Sequence, residues 1–577
     1  MYITFVPHKV NYRGIYLRES IRDGKKIHKK TIANISAWPA EKIAALDFVL
    51  KGNTAVGTLA FKITRSLAHG AVSAILHTMK TSGLLSILSV IPSGKRPLVI
   101  AMIADRLLYH QSKLATARSL SFETATNTLS EELKLKKVKV YVSQLYEAMD
   151  TLSKKKLQIE KRLAAKHLRG NSIILYDLTS VYFEGETCPL AEYGRTKEGI
   201  KGKKQVMVGL MTNKEGVPIS TEVFKGNIQD HTTLADQIKK ARLKFGMTRV
   251  IMVGDRGTII SKRIEEDFKG HTDLSFLTAL KSMEIQKLIT ENSLKLSVFD
   301  ETDLAEIYSP LYPGERLIAC RNSALTVKRT QKREALLKAT EEELDKIVIA
   351  TNRKKKGLSG KAKIGVRVGR VLGKYKMGKH IVFTITSASF SYQRNQESIQ
   401  QEQQLDGVYV IRTPLSKTDV SAEEAVLIYK GLSVVERAFR CMKTTDLRIR
   451  PVNHRLEDRV KSHVFLCMLA YYIEWHMRQK LAPILFEDED KEEAQIERES
   501  VVDKALRSHV ARCKAGKSET QEGFPVHSFQ SLLADLGTIT RNAIAPLEHE
   551  AVTFTQVTEP TALQQKAFEL LGMTGKM

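Results

Sequence analysis

One carboxylate inside a buried strand pattern is the feature that most constrains the fold. Residues 172–183 read SIILYDLTSVYF, an apolar and β-branched run that is typical of a strand buried in a sheet. Its single acid, Asp177, is costly to bury in ionised form unless it is paired, hydrogen-bonded or bound to a metal. Two more strand-like runs, 206–211 and 217–224, are joined by a turn at 213–216. The sequence therefore predicts three antiparallel strands, the first of which carries an acid.

Helices and strands alternate after these three strands, which predicts a mixed α/β core. Residues 234–245 have helical periodicity, and 249–257 (RVIMVGDRG) and 274–280 read as buried strands. Asp255 ends the first of these strands, at the sheet edge where ligand groups gather in α/β proteins. Capping of the helical run that follows Asp255 is the alternative. Asp230, just before a helical run, is interpreted as a helix N-cap.

The segment 429–443, YKGLSVVERAFRCMK, predicts a helix with an unusual face. At about 100° per residue, Tyr429, Glu436, Arg440 and Lys443 fall within roughly 60° of one another. That face offers a phenol, a carboxylate and two cations. The alternative is a surface helix in which Glu436 and Arg440 form an ion pair worth a few tenths of a kcal/mol.

Three acids stand on separate elements of this predicted core, namely Asp177, Asp255 and Glu436. Carboxylates brought together in this way would bind hard divalent cations such as Mg²⁺, which take oxygen ligands and share their remaining positions with phosphate oxygens. Two such ions about 3.5 to 4 Å apart can activate an attacking oxygen and stabilise a leaving one. The three acids therefore indicate phosphodiester chemistry.

The charge of the chain favours a polyanionic partner. Lys and Arg number 91 against 64 Asp and Glu, a net charge of +27, so nucleic acid is the first candidate and a generally basic surface is the alternative. Five scattered cysteines without CxxC spacing fit a reduced, cytoplasmic compartment. The most apolar runs, 83–91 and 464–473, are too short to span a bilayer, so no membrane segment is expected. Gly516, Lys517 and Ser518 imitate the end of a P-loop, but Ala511 stands where its first Gly is needed.

Changes of pattern predict five regions. The first has a β hairpin around Asp23–Gly24 followed by helices and is expected to bind DNA ends; the alternative is that its cationic helices are solvated amphipathic faces. Residues 351–380 hold eleven Lys or Arg and no acid, which suits a phosphate-backbone contact surface or, alternatively, a solvated loop. The regions are an N-terminal domain (1–165), the first part of the core (166–285), an inserted, basic, mostly β subdomain (286–415), the second part of the core (416–482), and an acidic linker with a small C-terminal helical region (483–577).

An ordered set of motifs resembles the DDE transposases of bacterial insertion sequences. YDLTS surrounds Asp177, MVGDRG surrounds Asp255, and Tyr429, Glu436 and Lys443 follow the spacing Y-x6-E-x6-K. This spacing is similar to the branch with a β insertion and a Tyr-Arg-Glu-Lys signature. GNIQD (226–230) and LDGVYVIRT (405–413) are also similar, and the resemblance covers roughly residues 150–480.

The resemblance implies an RNase H-like fold in which Asp177, Asp255 and Glu436 bind two Mg²⁺ or Mn²⁺ ions. Tyr429 and Lys443 match signature positions that touch DNA phosphate. The signature expects Arg where this chain has Leu432, so a neighbouring cation would take that role. Arg440 is preferred because it shares the face of Glu436, and the other candidate cations are Arg437 and Lys430. Arg256, next to the second acid, is a further candidate DNA contact.

The activity implied by the resemblance is transposition. Such an enzyme cuts the ends of its element and joins the freed 3′ hydroxyl to target DNA. Its partners would be double-stranded DNA, as terminal inverted repeats and target, and a second copy of the chain when bound to DNA. A cytoplasmic, nucleoid-associated location is expected. The alternatives are a metal-dependent RNase H-like nuclease without strand transfer and a non-catalytic DNA-binding repressor.

Overall fold

The computed structural model describes residues 1–8, 12–24, 26–52, 61–135, 139–168, 171–185, 187–197, 199–200, 202–355, 357–547 and 553–573. The chain forms two compact units. The first unit consists of Met1–Lys154, Ile473–Glu487 and Ser518–Met577, and the second unit consists of Lys155–Tyr472 and Asp488–Lys517. The five predicted region boundaries stay predictions.

The strands, in chain order, are β1 (Tyr2–His8), β2 (Tyr12–Asp23), β3 (Lys26–Asn34), β4 (Phe61–Ala68), β5 (Asn171–Tyr182), β6 (Gln205–Asn213), β7 (Pro218–Lys225), β8 (Arg249–Val253), β9 (Leu274–Ala279), β10 (Leu304–Ile307), β11 (Arg316–Arg321), β12 (Ile381–Ile385), β13 (Phe390–Arg394), β14 (Val408–Thr413), β15 (Thr540–Pro546) and β16 (Phe554–Val557).

The α-helices are α1 (Ala40–Leu50), α2 (Gly70–Thr81), α3 (Leu84–Ile87), α4 (Arg96–Leu108), α5 (Lys113–Ser119), α6 (Leu129–Glu132), α7 (Val142–His167), α8 (Leu234–Lys239), α9 (Ser261–Arg263), α10 (Ser282–Thr290), α11 (Ser323–Thr351), α12 (Lys361–Tyr375), α13 (Gln396–Gln404), α14 (Ala422–Lys430), α15 (Leu432–Arg440), α16 (Glu457–Leu481), α17 (Lys491–Ile496), α18 (His509–Lys517), α19 (Phe529–Leu536) and α20 (Ala562–Leu571). Short 3₁₀ segments lie at Leu88–Val90, Asp230–Thr233, Leu296–Asp300, Gly378–His380 and Ala482–Ile484, and π-helical turns at Lys240–Lys244, Ile264–Phe268 and Cys441–Thr445.

The first unit contains two small sheets. Strands β1, β2 and β3 form one antiparallel sheet, and β2 and β3 pair across the predicted Asp23–Gly24 turn. The second sheet has the order β16-β15-β4, so the C-terminal region contributes strands as well as helices. The prediction of a purely helical C-terminal region missed these strands. Strand β15 is only half-buried and its partner β4 lies more than 470 residues earlier, so the local sequence pattern gives little indication of a strand.

No single helix within the described ranges is long and apolar enough to cross a membrane. The bent pair Gly70–Thr81 and Leu84–Val90 meets the length and composition test only when its two parts are taken together.

The second unit is organised around one mixed sheet with the order β10-β11-β14-β9-β8-β5-β6-β7. Strands β5, β6 and β7 are antiparallel neighbours, whereas β5, β8 and β9 run parallel. All residues of β6 and β9 are buried, as expected of strands covered on both faces. The predicted mixed α/β class is therefore confirmed, and the arrangement is consistent with the RNase H-like core of transposases.

The region 286–415 is more helical than the predicted, mostly β subdomain. Its strands β10, β11 and β14 extend the central sheet instead of forming a separate one. Between them lie α11, with 29 residues, and α12, with 15, beside the small hairpin β12–β13. In the sequence, the apolar residues of the basic run 351–380 look like short interruptions of a charged stretch. In the structure, Ile364 and Val368 stand four residues apart and bury one face of α12 against Leu337 and Leu344 of α11.

The predicted single helix over 429–443 is divided. α14 ends at Lys430, α15 starts after Gly431 and ends at Arg440, and a π-helical turn follows. Tyr429, Glu436 and Lys443 therefore stand on three consecutive pieces of helix. The prediction assumed a constant 100° per residue, which a helix junction and a π turn both alter.

Candidate functional site

Asp177 and Asp255 lie on neighbouring parallel strands. The last paired residues of β5 and β8 are Leu175 and Val253, and each acid follows two residues later. Asp177 Oδ1 accepts a hydrogen bond from its neighbouring amide, Leu178 N, at 2.7 Å. Burial raises the pKa of the Asp177 carboxyl to about 6; the Lys197 ammonium opposes this rise and the negative charge of Asp255 adds to it. The two carboxyl groups therefore interact electrostatically at one edge of the sheet.

Asp255 is held by the turn that follows β8. Its Oδ1 accepts hydrogen bonds from Gly257 N at 3.0 Å and Thr258 N at 2.8 Å. The alternative that Asp255 caps the following helix is wrong, since α9 begins only at Ser261 and its N-cap position is Ile260. The acid caps its own turn instead. Both bonds use Oδ1, and Oδ2 is the oxygen available to a cation.

The phenol of Tyr429 links Glu436 to the other two acids. Burial raises the pKa of Tyr429 to about 12, and the charges of Asp255, Glu436 and Asp177 act in the same direction, whereas Arg256 lowers it. The charges of all three acids thus act on one half-buried phenol. The pairing of β5 with β8 places Asp177 beside Asp255, and the effect of Glu436 on the same phenol relates the third acid to them.

Helix α15 reaches this position by packing on β5. Its buried residues are Val435, Ala438 and Phe439, whereas Glu436 is exposed. At the start of the helix, a Cβ placed on Gly431 would lie 3.6 Å from Leu175 Cδ1, which puts the helix backbone in contact distance of the strand that carries Asp177. Apolar spacing therefore anchors one side of α15 and leaves its acid pointing outward.

The donor set fits divalent metal ions. Carboxylate oxygens are the ligands that Mg²⁺ and Mn²⁺ prefer. The ligand oxygens of Asp177, Asp255 and Glu436, all in the described part of the chain, do not come within 4.8 Å of one another as a set. One ion could not contact all three, but a pair of ions about 3.5 to 4 Å apart spans a wider ligand set.

The predicted DNA-contacting cations lie around these acids, with one exception. Lys443 Nζ donates a hydrogen bond to Thr179 Oγ1, two residues beyond Asp177 on β5. Arg256, Arg437 and Arg440 are exposed. Their roles in DNA contact stay predictions.

Lys430 is the exception, because its side chain binds the segment 501–503 of the same unit. Its Nζ donates to the carbonyl oxygens of Val501, Val502 and Asp503 at 2.7, 2.6 and 2.6 Å. An ammonium enclosed by three carbonyls is committed to holding that segment. Lys430 is therefore excluded as the replacement for the Arg expected at Leu432, which leaves Arg440 and Arg437.

A lysine–aspartate pair next to Asp177 was not predicted from the sequence. Lys197 Nζ donates to Leu178 O and to Asp230 Oδ2, both at 2.8 Å. The interpretation of Asp230 as a helix N-cap is wrong, because α8 begins at Leu234 with Thr233 at the N-cap position. The acid binds a lysine 33 residues away, and the motif GNIQD was its only signal in the sequence.

We expect the metal concentration needed to fill the site to rise as the pH falls below about 6. Because the folded pKa of Asp177 is raised, its carboxyl is neutral below that pH, and a metal ion must displace the proton. Each pH unit below 6 should weaken metal binding about 10-fold. Calorimetric titration of the protein with Mn²⁺ at pH 7.5 and 5.0 measures this directly. Equal affinities at both pH values would contradict the assignment of Asp177 as a ligand.

Comparison with known proteins gives three results. Residues 168–473, more than half of the chain, match the sequence model of the family described as "Transposase DDE domain". A solved structure of piggyBac transposase, in a synaptic complex with hairpin DNA, is similar over 70% of this chain and 72% of that chain, with 10% sequence identity and a TM-score of 0.25. No curated protein matches the chain.

Proposed function

The chain belongs to the transposase DDE domain family, and we propose that it cuts the ends of an insertion sequence and joins them to target DNA. The observation that supports this proposal is that Asp177 and Asp255 each follow the paired end of two neighbouring parallel strands, while the charge of Glu436 acts together with theirs on the phenol of Tyr429. The acids come from a central strand, from the end of its parallel neighbour and from a helix packed on the same strand. This arrangement supports phosphodiester chemistry at one edge of the sheet.

The three acids would hold two Mg²⁺ or Mn²⁺ ions. Such ions, when bound, polarise the attacking oxygen and stabilise the leaving oxygen. The chain itself supplies the rest. The amides of Gly257 and Thr258 fix the Asp255 carboxylate, so that little reorganisation is needed when the substrate arrives. Phosphate oxygens on the DNA would be bound by Tyr429, Lys443, Arg256, Arg440 and Arg437.

Duplex DNA is the partner that the charge supports. Helix α12 buries Ile364 and Val368 and exposes five cations, Lys361, Lys363, Arg367, Arg370 and Lys374. A helix fixed on one face and cationic on the other suits the phosphate backbone better than a solvated loop does. Two element ends must be held for joining, so we propose a homodimer on DNA.

A donor plasmid tests the function against its alternatives. The plasmid carries the DNA that flanks the gene on both sides, and the protein is incubated with it, a target plasmid and Mg²⁺. Joined donor–target products are expected. Cut ends that never join would favour a nuclease without strand transfer, and DNA binding without metal-dependent cutting would favour a non-catalytic repressor.

Lys443→Ala should weaken DNA cutting about 10- to 100-fold while sparing the fold, because it removes one charge-assisted bond to phosphate. The rate of Mg²⁺-dependent nicking measures the loss. Lys244→Ala, which removes an exposed lysine from the π-helical turn Lys240–Lys244, is the matched control and should leave the rate unchanged. Equal nicking rates for the two variants would favour the alternative interpretation, in which 429–443 is a surface helix without a role in DNA cutting.

A further inference from the structure

We propose that a cleft beside Asp255 binds the sugar–phosphate backbone of one DNA strand as it runs away from the reacting phosphate. This inference rests on the proposed function and adds a second substrate surface to it. The cleft has a volume of about 920 Å³ and is open to solvent. Four of the residues that line it are cations, Arg195, Lys197, Arg256 and Lys281.

The cleft is separate from the helix that carries Glu436. Its lining residues come from the segments 195–197, 226–230, 255–257 and 281–283 and from Met207, and no residue of α14 or α15 is among them. Arg256 connects the two surfaces, because it lines the cleft and also acts on the phenol of Tyr429. A strand bound at Asp255 can therefore continue from the acids into the cleft.

Hydrogen bonds and one close backbone contact hold one wall of the cleft to the central sheet. Glu192 and Gln205 exchange backbone hydrogen bonds of 3.1 and 2.9 Å, and Gln205 Nε2 donates to Gly226 O at 2.8 Å. A Cβ on Gly194 would collide with the Gly226 carbonyl oxygen, so the wall requires glycine there. Arg195 O accepts a hydrogen bond from Gln205 Nε2 at 3.3 Å, and Lys197 N donates to Ser180 Oγ at 3.0 Å, so the backbone that presents both cations is hydrogen-bonded to the strands and less of it has to be fixed on binding.

The cations of the cleft differ in whether their charge is already paired within the protein. Lys197 is tied to Asp230 and Leu178 O, so its charge is partly neutralised and its position is fixed. Arg195 and Lys281 are exposed, and Lys281 directly precedes α10. Arg195 and Lys281 are therefore the residues whose removal should change phosphate binding without disturbing the network around Asp177.

The chemistry of the lining favours a nucleic-acid backbone over a nucleotide base. No aromatic residue is among the described residues that line the cleft, so a base would have no ring to stack on. Guanidinium and ammonium groups spread along a polar cleft instead match successive phosphates, which carry no sequence information. A probe of arbitrary sequence can therefore test the site.

The test is the salt dependence of binding to a fluorescein-labelled oligothymidylate of about 20 nucleotides, in EDTA. The double variant Arg195→Ala/Lys281→Ala should bind roughly 10- to 50-fold more weakly at about 100 mM KCl, and its log–log salt slope should fall in magnitude by about 1.4, or roughly 0.7 per lost phosphate contact. The charge-conserving pair Arg195→Lys/Lys281→Arg should restore the slope.

The control is Lys287→Ala, which removes an exposed lysine from the same helix α10 but outside the cleft. An Arg195→Ala/Lys281→Ala protein that melts like the wild type and binds the probe with the affinity and slope of the Lys287→Ala variant would overturn the proposal. Failure of the proposed function is distinguishable, because it would be seen as wild-type protein that binds the probe with the expected slope and does not cut DNA in Mg²⁺.

Discussion

Asp177→Asn, Asp255→Asn and Glu436→Gln should each abolish metal-dependent cutting and joining of DNA. Loss of an outer-shell partner of a metal typically costs 10- to 100-fold in metal affinity or activity, so loss of a direct ligand should cost more than about 100-fold. The substitutions replace one oxygen by an amide nitrogen and keep the shape of the side chain. Nicking and strand-transfer products are measured on a donor plasmid in Mg²⁺ and again in Mn²⁺.

A control substitution of another acid distinguishes the loss of a metal ligand from a general change of charge. Glu423 is exposed on α14, one helix before Glu436, and Glu423→Gln should retain full activity. The three inactive variants should still bind DNA in EDTA, since they lose no cation. If each of them kept full strand-transfer activity with Mg²⁺, the proposed function would be wrong.

Five of the eight strands of the central sheet, β5 to β9, could be predicted because they are apolar and follow one another in the chain. The meander β5–β6–β7 follows from three successive strand runs, the last two of which are joined by a short turn. The adjacency of Asp177 and Asp255 follows in turn, since parallel neighbours bring their carboxyl ends to the same edge. Glu436 could be placed only by resemblance, because the helix that carries it stands 181 residues after Asp255 and no local pattern relates the two.

Features that depend on distant partners could not be predicted. The bond between Lys197 and Asp230 joins a loop to a 3₁₀ turn, and neither side has a periodic pattern. Helix α12 was not predicted because its cations outnumber its two buried apolar residues, Ile364 and Val368. The division of 429–443 had one signal, Gly431, whose weak helix propensity was outweighed by the strong formers around it.

The motif LDGVYVIRT, which pointed to the family, has a structural role in this chain. Gly407 has a φ of +79°, and a Cβ there would collide with Thr326 Oγ1 of α11. The preceding Asp406 is 3% exposed and accepts two hydrogen bonds from Arg333 of α11, at 3.1 and 2.6 Å, and one from Thr330 Oγ1 at 3.0 Å. The motif therefore fixes α11 to the end of the central sheet where β14 begins.

Asp406→Ala should destabilise the second unit by about 3 to 5 kcal/mol, because the substitution leaves the buried Arg333 guanidinium without a counter-charge. Asp419→Ala breaks an ion pair of similar length, Asp419–Arg249, whose side chains are about one-third exposed, and should cost much less because solvent screens this pair. Urea denaturation followed by hydrogen exchange of α11 and β14 compares the two variants.

The double variant Arg333→Met/Asp406→Leu separates the ion pair from simple packing. With both charges removed and similar volumes kept, no unpaired buried charge is left, and stability should return to within about 1 to 2 kcal/mol of the wild type. An Asp406→Ala variant no less stable than Asp419→Ala would mean that Arg333 reaches solvent or another acid when its partner is lost. In that case the structural role of the motif would rest on Gly407 alone, whose left-handed backbone conformation is independent of the ion pair.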